Sequence, residues 1–331
     1  MLLPFKINGF TDFSCSIEHV LNAGEAVLGS RSLPPGMLHF PIGYSGRASS
    51  IVCSGVSVHR PWGQFRLPPH SSSPSPPEII FAPTRQLDYE LEVAAIIGTP
   101  SPSLGTPIPL SRAEDHIFGF VLLNDISARD IQALEMNPLG PLNGKSFATV
   151  VSPWVIGLEA LKPYATTASI QKTTQKVAKY LDEKNEKPGY SMELTAELWE
   201  DQTGKSSINE NNDREGVRNI RIKTPLCKAR LESMYWTFRD MVAHQTVNGC
   251  PLQTGDVLAT GTVSGARDDE HGCLLEMTKG GKKAFVSATG RQKTYLEDGD
   301  MIRLAALAGK GVGFGECDCF VAPAKELAAF E

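Results

Sequence analysis

Carboxylates alternate along Leu87-Asp88-Tyr89-Glu90-Leu91-Glu92, and directly beyond them the chain turns apolar through Val93-Ala94-Ala95-Ile96-Ile97. On a strand, residues two apart share a face, so Asp88, Glu90 and Glu92 are expected to project together. The ordinary fate of such a run is a solvated strand face, because acidic residues are mostly exposed. Here the apolar continuation suits burial on both sides, which sets the acids at the margin of a core. Another carboxylate, Asp125, ends the apolar run that begins at His116. Clustered acids near a core need a compensating cation or raised pKa values, and hard divalent ions prefer oxygen ligands. The pattern predicts a cation site centred on Glu90 and Glu92 and does not identify the metal.

Gly140-Pro141-Leu142-Asn143-Gly144-Lys145-Ser146 looks at first like a phosphate-binding loop. It has one spacer residue too few, and a proline where a backbone N–H should face phosphate, so a nucleotide site is rejected. Lys145 is then either a fixed positive charge beside the metal site or a surface lysine. His19 is a candidate base, although a lone histidine is more often a hydrogen-bonded structural residue. The seven histidines show no H-E-x-x-H spacing, and no serine nucleophile elbow is present.

Asp12 to Gly24 is expected to form a short helix, with Asp12 or Ser14 as N-cap, Gly24 as its stop and His19 about two turns in. A turn over residues 43–50 carries Tyr44 and Arg47 and leads into strand-like sequence from Ile51 to Arg66. Residues 67–77 are a Pro/Ser-rich loop, and residues 98–109 are a second proline-rich connection. Leu87 to Gly98 and His116 to Asp125 are buried strands; a helix opened by Ser127 with Asp130 as a loose capping box follows the second. A strand is expected near residues 147–155, and a polar, Lys-rich surface excursion at about 162–190. Asn248-Gly249, Thr254-Gly255-Asp256 and Asp298-Gly299-Asp300 punctuate short apolar runs, as hairpins and tight turns do. With no internal repeat and no regular βαβ alternation, the expectation is a single β-dominated domain of the α+β class spanning 1–331.

Composition excludes several functions. The chain has 331 residues, 41% hydrophobic and 21% charged, with a net charge of −5 and scattered Lys and Arg, so no nucleic-acid footprint is expected. Seven cysteines without C-x-x-C spacing point to neither a disulfide framework nor a zinc ribbon, and a reducing cytoplasmic setting is the default. The start lacks the pattern of a signal peptide, and no apolar stretch reaches the ~18 residues of a membrane helix.

Several blocks together resemble the fumarylacetoacetase family, whose reaction ends tyrosine breakdown. They are Thr11-Asp12-Phe13, His39 to Ser50, Leu87 to Glu92, Asn124 to Gln132, Pro138 to Pro141 and Gly144 to Phe147. Further blocks are Ser152 to Trp154, Met234 to Thr237, Val247 to Cys250 and Gly261 to Gly265, and all run in the same order over nearly the whole chain. The resemblance implies a mixed β-roll with peripheral helices that forms a homodimer, and a Ca²⁺ or Mg²⁺ ion on Asp12, Glu90, Glu92 and Asp125. Lys145 and Thr149 match additional metal-site positions. His19 matches the general base, with Glu276 orienting it, and Gln132, Tyr44 and Thr262 match substrate contacts. The implied reaction is hydrolysis of a carbon–carbon bond in a 1,3-diketone. In it His19 activates water, Lys145 and Gln132 stabilise the oxyanion, and an enolate leaves from the cation.

Three positions depart from the family. Ser14 and Met136 stand where it has tyrosines, and Leu28 stands near an arginine that holds a substrate carboxylate, with Arg31 close enough to substitute in a shifted register. Each lost hydrogen bond is worth on the order of 1–3 kcal/mol, so a less acidic or more apolar substrate is expected, as for a paralogue in specialised metabolism. Since Asp12 already matches a ligand position, the family's small N-terminal domain is expected to be missing from this sequence, either because the protein is a shortened paralogue or because the gene start is placed late. Two competing readings are a decarboxylase or tautomerase using the same enolate chemistry, and a silent metabolite-binding protein. Retained His19 and Glu276 favour hydrolysis over the first, and intact ligand positions count against the second.

Overall fold

A computed structural model describes residues 2–67, 78–167, 177–182, 184–201 and 221–327. Most of the loop expected at 67–77 and part of the 162–190 stretch lie outside the described residues. Two sheets organise the rest. The larger runs in the order Ile42–Ser45, Phe10–Ser14, Val257–Ala259, Leu91–Ile97, Ile117–Asp125, Thr149–Val151 and Ile51–Cys53, with Ile156–Gly157 pairing onto Ile117–Asp125. It is mixed: Phe10–Ser14 lies parallel to Val257–Ala259, and Thr149–Val151 parallel to Ile51–Cys53, while the central pairings are antiparallel. The smaller sheet runs Arg221–Arg230, Glu193–Asp201, Met301–Ala308, Val312–Ala322 and Val56–His59. Helices are few, so the β-dominated expectation holds, and Phe238–Thr246 is not peripheral but buries most of its residues.

Leu91–Ile97 shows why a continuous apolar run forms a strand here. Leu91, Val93, Ala95 and Ile97 join the main core, whereas Ala94 and Ile96 join a second cluster with Phe10, Val121, Leu123, Val151, Val257 and Ala259. Both faces of the strand are covered, so alternation would serve no purpose. Glu193–Asp201 faces the core on one side only, and its burial alternates accordingly.

Several local expectations are corrected. The first helix is Ile17–Leu28, capped by Ser16, whose hydroxyl accepts the His19 N–H, and closed by Gly29 in the left-handed region. Asp12 and Ser14 lie in the preceding strand, because pairing of Asp12 with Ala259 and of Ser14 with Ile42 outweighs their local capping preference. Gly24 is carried inside the helix, and His19 stands in its first turn. The run from Leu87 is broken into Leu87–Asp88 and Leu91–Ile97. Ser127 belongs to a short strand and donates to the Asp125 carbonyl, so the next helix begins at Arg129 without a side-chain cap. The strand expected at 147–155 is Thr149–Val151. Asn248-Gly249 follows the helix Phe238–Thr246 and makes no hairpin.

Candidate active site

Register explains how four distant carboxylates meet. Asp12 pairs with Ala259, Ala259 with Ala94 and Ala94 with Val121, while Glu92 pairs with Leu123 and Asp125 with Thr149. Side chains alternate along strands, so Asp12, Glu92, Asp125 and Thr149 share a face with the second apolar cluster and lie at its edge. Glu90 enters from the break before Leu91, where its N–H donates to Asn124 Oδ1 at 3.1 Å. One oxygen from each of Asp12, Glu90, Glu92 and Asp125 lies within 4.8 Å of the others, and all four residues are buried.

The basic groups around this cluster are specific. Lys145 Nζ donates to Glu90 Oε2 at 2.5 Å and to Asp125 Oδ2 at 2.6 Å. Thr149 Oγ1 donates to Asp125 Oδ1 at 2.7 Å, and Tyr44 Oη to Asp125 Oδ2 at 2.9 Å. Burial alone would lower the Lys145 pKa, but Asp125 and Glu90 raise it, so the group stays an ammonium. Burial would raise Glu90, yet Lys145 and Arg129 hold it well below the usual carboxylate range. Asp12 and Glu92 go the other way: burial, reinforced by neighbouring carboxylates, pushes both well above it. Asp12 Oδ1 and both oxygens of Glu92 are buried with no hydrogen-bond partner among the described residues. Bare, hard carboxylate oxygens fit a divalent cation, which would satisfy them and supply the missing positive charge.

Asp88 does not join them, contrary to the one-face expectation. It accepts the N–H groups of Leu274 at 2.7 Å and Leu275 at 2.9 Å, and Arg129 Nε at 2.8 Å. Arg129 in turn donates from Nη1 to Glu90 Oε1 at 2.7 Å and to Gln132 Oε1 at 3.3 Å. Asp88 therefore ties the short helix Leu274–Met277 to the carboxylate cluster. Asp88→Ala would leave the buried Arg129 guanidinium half-paired, and a loss of ~3–5 kcal/mol in unfolding free energy is expected from urea titration.

That helix brings Glu276 to His19. His19 Nδ1 lies 2.7 Å from Glu276 Oε1, which also accepts Ser264 Oγ at 2.7 Å, while Oε2 accepts Asn22 Nδ2 at 2.9 Å. Burial would raise Glu276, but the charge and hydrogen bond of His19, then Asn22 and Ser264, bring it down to about 2. An ionised Glu276 fixes the Nδ1–H tautomer and leaves Nε2 as a proton acceptor. His19 also contributes to lowering Glu90, which places the pair within electrostatic reach of the cluster.

Asn22, Ser264, Arg129 and Glu135 also join the site, and for the last three no spacing marks them in the sequence. Asn22 stands three residues after His19 on one helix face, a signal available in principle. Its carboxamide oxygen accepts from Arg31, whose other nitrogen donates to Glu18 at 2.7 Å, so Arg31 supports the dyad from the rim. Asn22→Leu is expected to lower kcat ~10-fold by releasing one side of Glu276, checked by steady-state kinetics with metal saturating. The Gly140–Ser146 loop does present N–H groups to an anion, but the anion is the chain's own Glu135, which accepts from Leu142, Asn143 and Gly144 at 2.9 to 3.0 Å. Gly144 is required there, since a Cβ would lie 2.6 Å from Gln132 N.

The expected substrate positions are less tightly grouped. Thr262 Oγ1 is buried and unpartnered among the described residues, and Gln132 reaches the cluster through Arg129. Ser14 is half-buried in its strand. Met136 is 51% exposed beside Gln132, and Leu28 is 78% exposed at the far end of the His19 helix.

The chain matches the family profile described as fumarylacetoacetate hydrolase, C-terminal, over residues 8–322. It is 40% identical to fumarylacetoacetase of Dictyostelium discoideum over 332 residues, covering 98% of this chain and 71% of the relative. For the Bos taurus fumarylacetoacetase the identity is also 40%, with 99% and 73% covered. Among solved structures, a fumarylacetoacetate hydrolase from Exiguobacterium antarcticum aligns with a TM-score of 0.54 at 19% identity, covering 98% of this chain and 78% of that one. Fumarylpyruvate hydrolase from Pseudomonas aeruginosa, solved with Mn²⁺ and pyruvate, aligns at 0.52 and 16% identity, covering 96% and 90%. At these identities the structural likenesses establish the fold.

Proposed function

Because the chain belongs to the fumarylacetoacetate hydrolase family and is a hydrolase of carbon–carbon bonds, we propose that it splits a 1,3-diketone related to fumarylacetoacetate, with His19 as base. The observation that carries this reading is the His19–Glu276 pair, its carboxylate fully buried and its imidazole half-buried, within electrostatic reach of four converging carboxylates. A divalent cation, Ca²⁺ or Mg²⁺, on Asp12, Glu90, Glu92 and Asp125 would supply Lewis-acid stabilisation of the two substrate oxygens.

The chain's own groups do the rest. His19 Nε2 takes a proton from water as the oxygen attacks one carbonyl carbon, and Glu276 steadies the resulting imidazolium through Nδ1–H. Lys145 has three N–H donors and commits two to Glu90 and Asp125, so one is left for the developing oxyanion, alongside Gln132. The tetrahedral centre collapses with cleavage of the carbon–carbon bond; the departing enolate receives a proton from His19 and leaves as a ketone, with a carboxylic acid as the second product. Thr262 and Tyr44 contact the substrate, and Ser14, Leu28 and Met136 adapt the pocket to a compound other than fumarylacetoacetate.

Incubating the purified protein with a panel of 1,3-diketones and β-keto acids, with and without EDTA, tests the reading. Products that together equal substrate plus water are expected. Release of carbon dioxide alone, or no metal-dependent turnover anywhere in the panel, would overturn it. The same reading expects a cytoplasmic homodimer, which sedimentation of the protein and imaging of a tagged chain address.

A further inference from the structure

Beside the carboxylate cluster lies a recess of about 90 Å³ lined by Phe10, Tyr44, Arg47, Leu142 and Lys145 among others. Tyr44 and Lys145 both donate to Asp125, so the recess adjoins the cluster directly. The Lys145 ammonium is already neutralised by Glu90 and Asp125. Arg47 differs. It is exposed, and none of the hydrogen bonds or ion pairs among the described residues engages its guanidinium.

Its mount is nevertheless fixed. Gly46 N–H donates to Phe10 O at 2.9 Å, and a Cβ at Gly46 would lie 2.2 Å from Phe10 Cδ1, so this turn is pressed onto the strand and requires glycine. Ser50 Oγ donates to the Arg47 carbonyl at 3.2 Å. A guanidinium on a braced backbone, unengaged among the described residues and belonging to a residue that lines a recess beside the carboxylate cluster, is suited to a planar anion through two parallel hydrogen bonds.

We propose that Arg47 is a specificity-determining residue that receives a carboxylate of the substrate, so that the preferred substrates are 1,3-diketones bearing an acid group at one end. The proposal rests on the hydrolase reading above and revises the expectation of a less acidic substrate. Leu28 removes one carboxylate-binding arginine, and Arg31 is held by Glu18 and Asn22, but Arg47 keeps recognition of an acid on the side of Tyr44 and Lys145.

The test uses 1,3-diketones with a terminal carboxylate two, three or four carbons from the diketone, each beside its neutral methyl ester. For the best acid, wild-type kcat/KM should exceed that for the ester at least tenfold. In Arg47→Met that ratio should collapse towards one, with the loss carried by a raised KM for the acid, and Arg47→Lys should recover part of it. Equal use of acid and ester by the wild type, or an unaltered KM for the acid in Arg47→Met, would overturn the proposal. Calorimetric titration of the same acids into metal-loaded wild-type and Arg47→Met protein keeps the two readings apart. Absence of turnover together with an Arg47-dependent preference for the acid refutes hydrolysis alone, while equal affinities refute the Arg47 assignment. Thermal melts of both variants establish that they are folded.

Discussion

Stripping divalent cations with a chelator is expected to abolish diketone hydrolysis, and returning Ca²⁺ or Mg²⁺ should restore it and raise the melting temperature by an amount that grows with pH. Without a cation, Asp12 and Glu92 are buried carboxyls with raised pKa values and bare oxygens. Such groups hold protons in the folded state that they release in the unfolded chain. Their contribution is therefore fully present below the unfolded carboxylate pKa of about 4 and is lost as pH rises through the raised folded values. A divalent ion competes with those protons, so its binding releases them and tightens as pH rises. At a hundred times its dissociation constant the ion stabilises by ~2.7 kcal/mol. With ~2–4 °C per kcal/mol for chains of 150–250 residues, and less for longer ones, a shift of about 5 °C is expected near pH 8 and a smaller one near pH 5. Differential scanning fluorimetry across pH, with and without the ion, measures this directly. Glu92→Gln should weaken ion binding at least ~10-fold while making the metal-free protein less sensitive to rising pH. A shift of the same size at every pH, or none with any divalent ion, would show that the carboxylates do not form the site.

Only part of that site was legible in the sequence. The alternating acids, the apolar run after them and a carboxylate closing a second run were enough to expect a cation near Glu90 and Glu92, because period-two alternation and burial are local signals. Which acids take part was not local. Asp88 has the same spacing as Glu90 and Glu92 but is claimed by Arg129 and by two N–H groups from nearly two hundred residues away. Asp12 read as a helix cap because its neighbours favour one, whereas a parallel pairing with Val257–Ala259 makes it a strand residue. No spacing rule joins His19 to Glu276 across 257 positions; the resemblance to a family supplied that pair, and the geometry gives it physical content. The β-dominated class was legible from turns and short apolar runs. Sheet order was not, since a mixed sheet that seats Val257–Ala259 between Phe10–Ser14 and Leu91–Ile97 depends on contacts that no window contains.

If His19 is the base proposed above, replacing it with alanine is expected to lower kcat by ~10²–10⁴ while leaving the cation-dependent melting shift in place, since His19 lies outside the four carboxylates. The second half of the dyad sharpens the expectation. Glu276 is bonded by His19 Nδ1, Asn22 Nδ2 and Ser264 Oγ, all of which can act as donors. Glu276→Gln exchanges one accepting oxygen for an NH₂ group. If that group faces Asn22, two donors oppose each other; if it faces His19, the ring must present Nδ1 as acceptor and turn its proton onto Nε2, where the water should be deprotonated. Either arrangement leaves the imidazole wrongly oriented or in the wrong tautomer to take a proton from water. The activity of Glu276→Gln should therefore fall by about the same factor as that of His19→Ala, measured by steady-state kinetics with metal saturating. Groups that act as one unit are not additive, so the double variant should be scarcely worse than either single one. Full hydrolysis by His19→Ala would place the base elsewhere. A double variant that multiplies the two losses would mean that Glu276 acts on the reaction by a route other than His19.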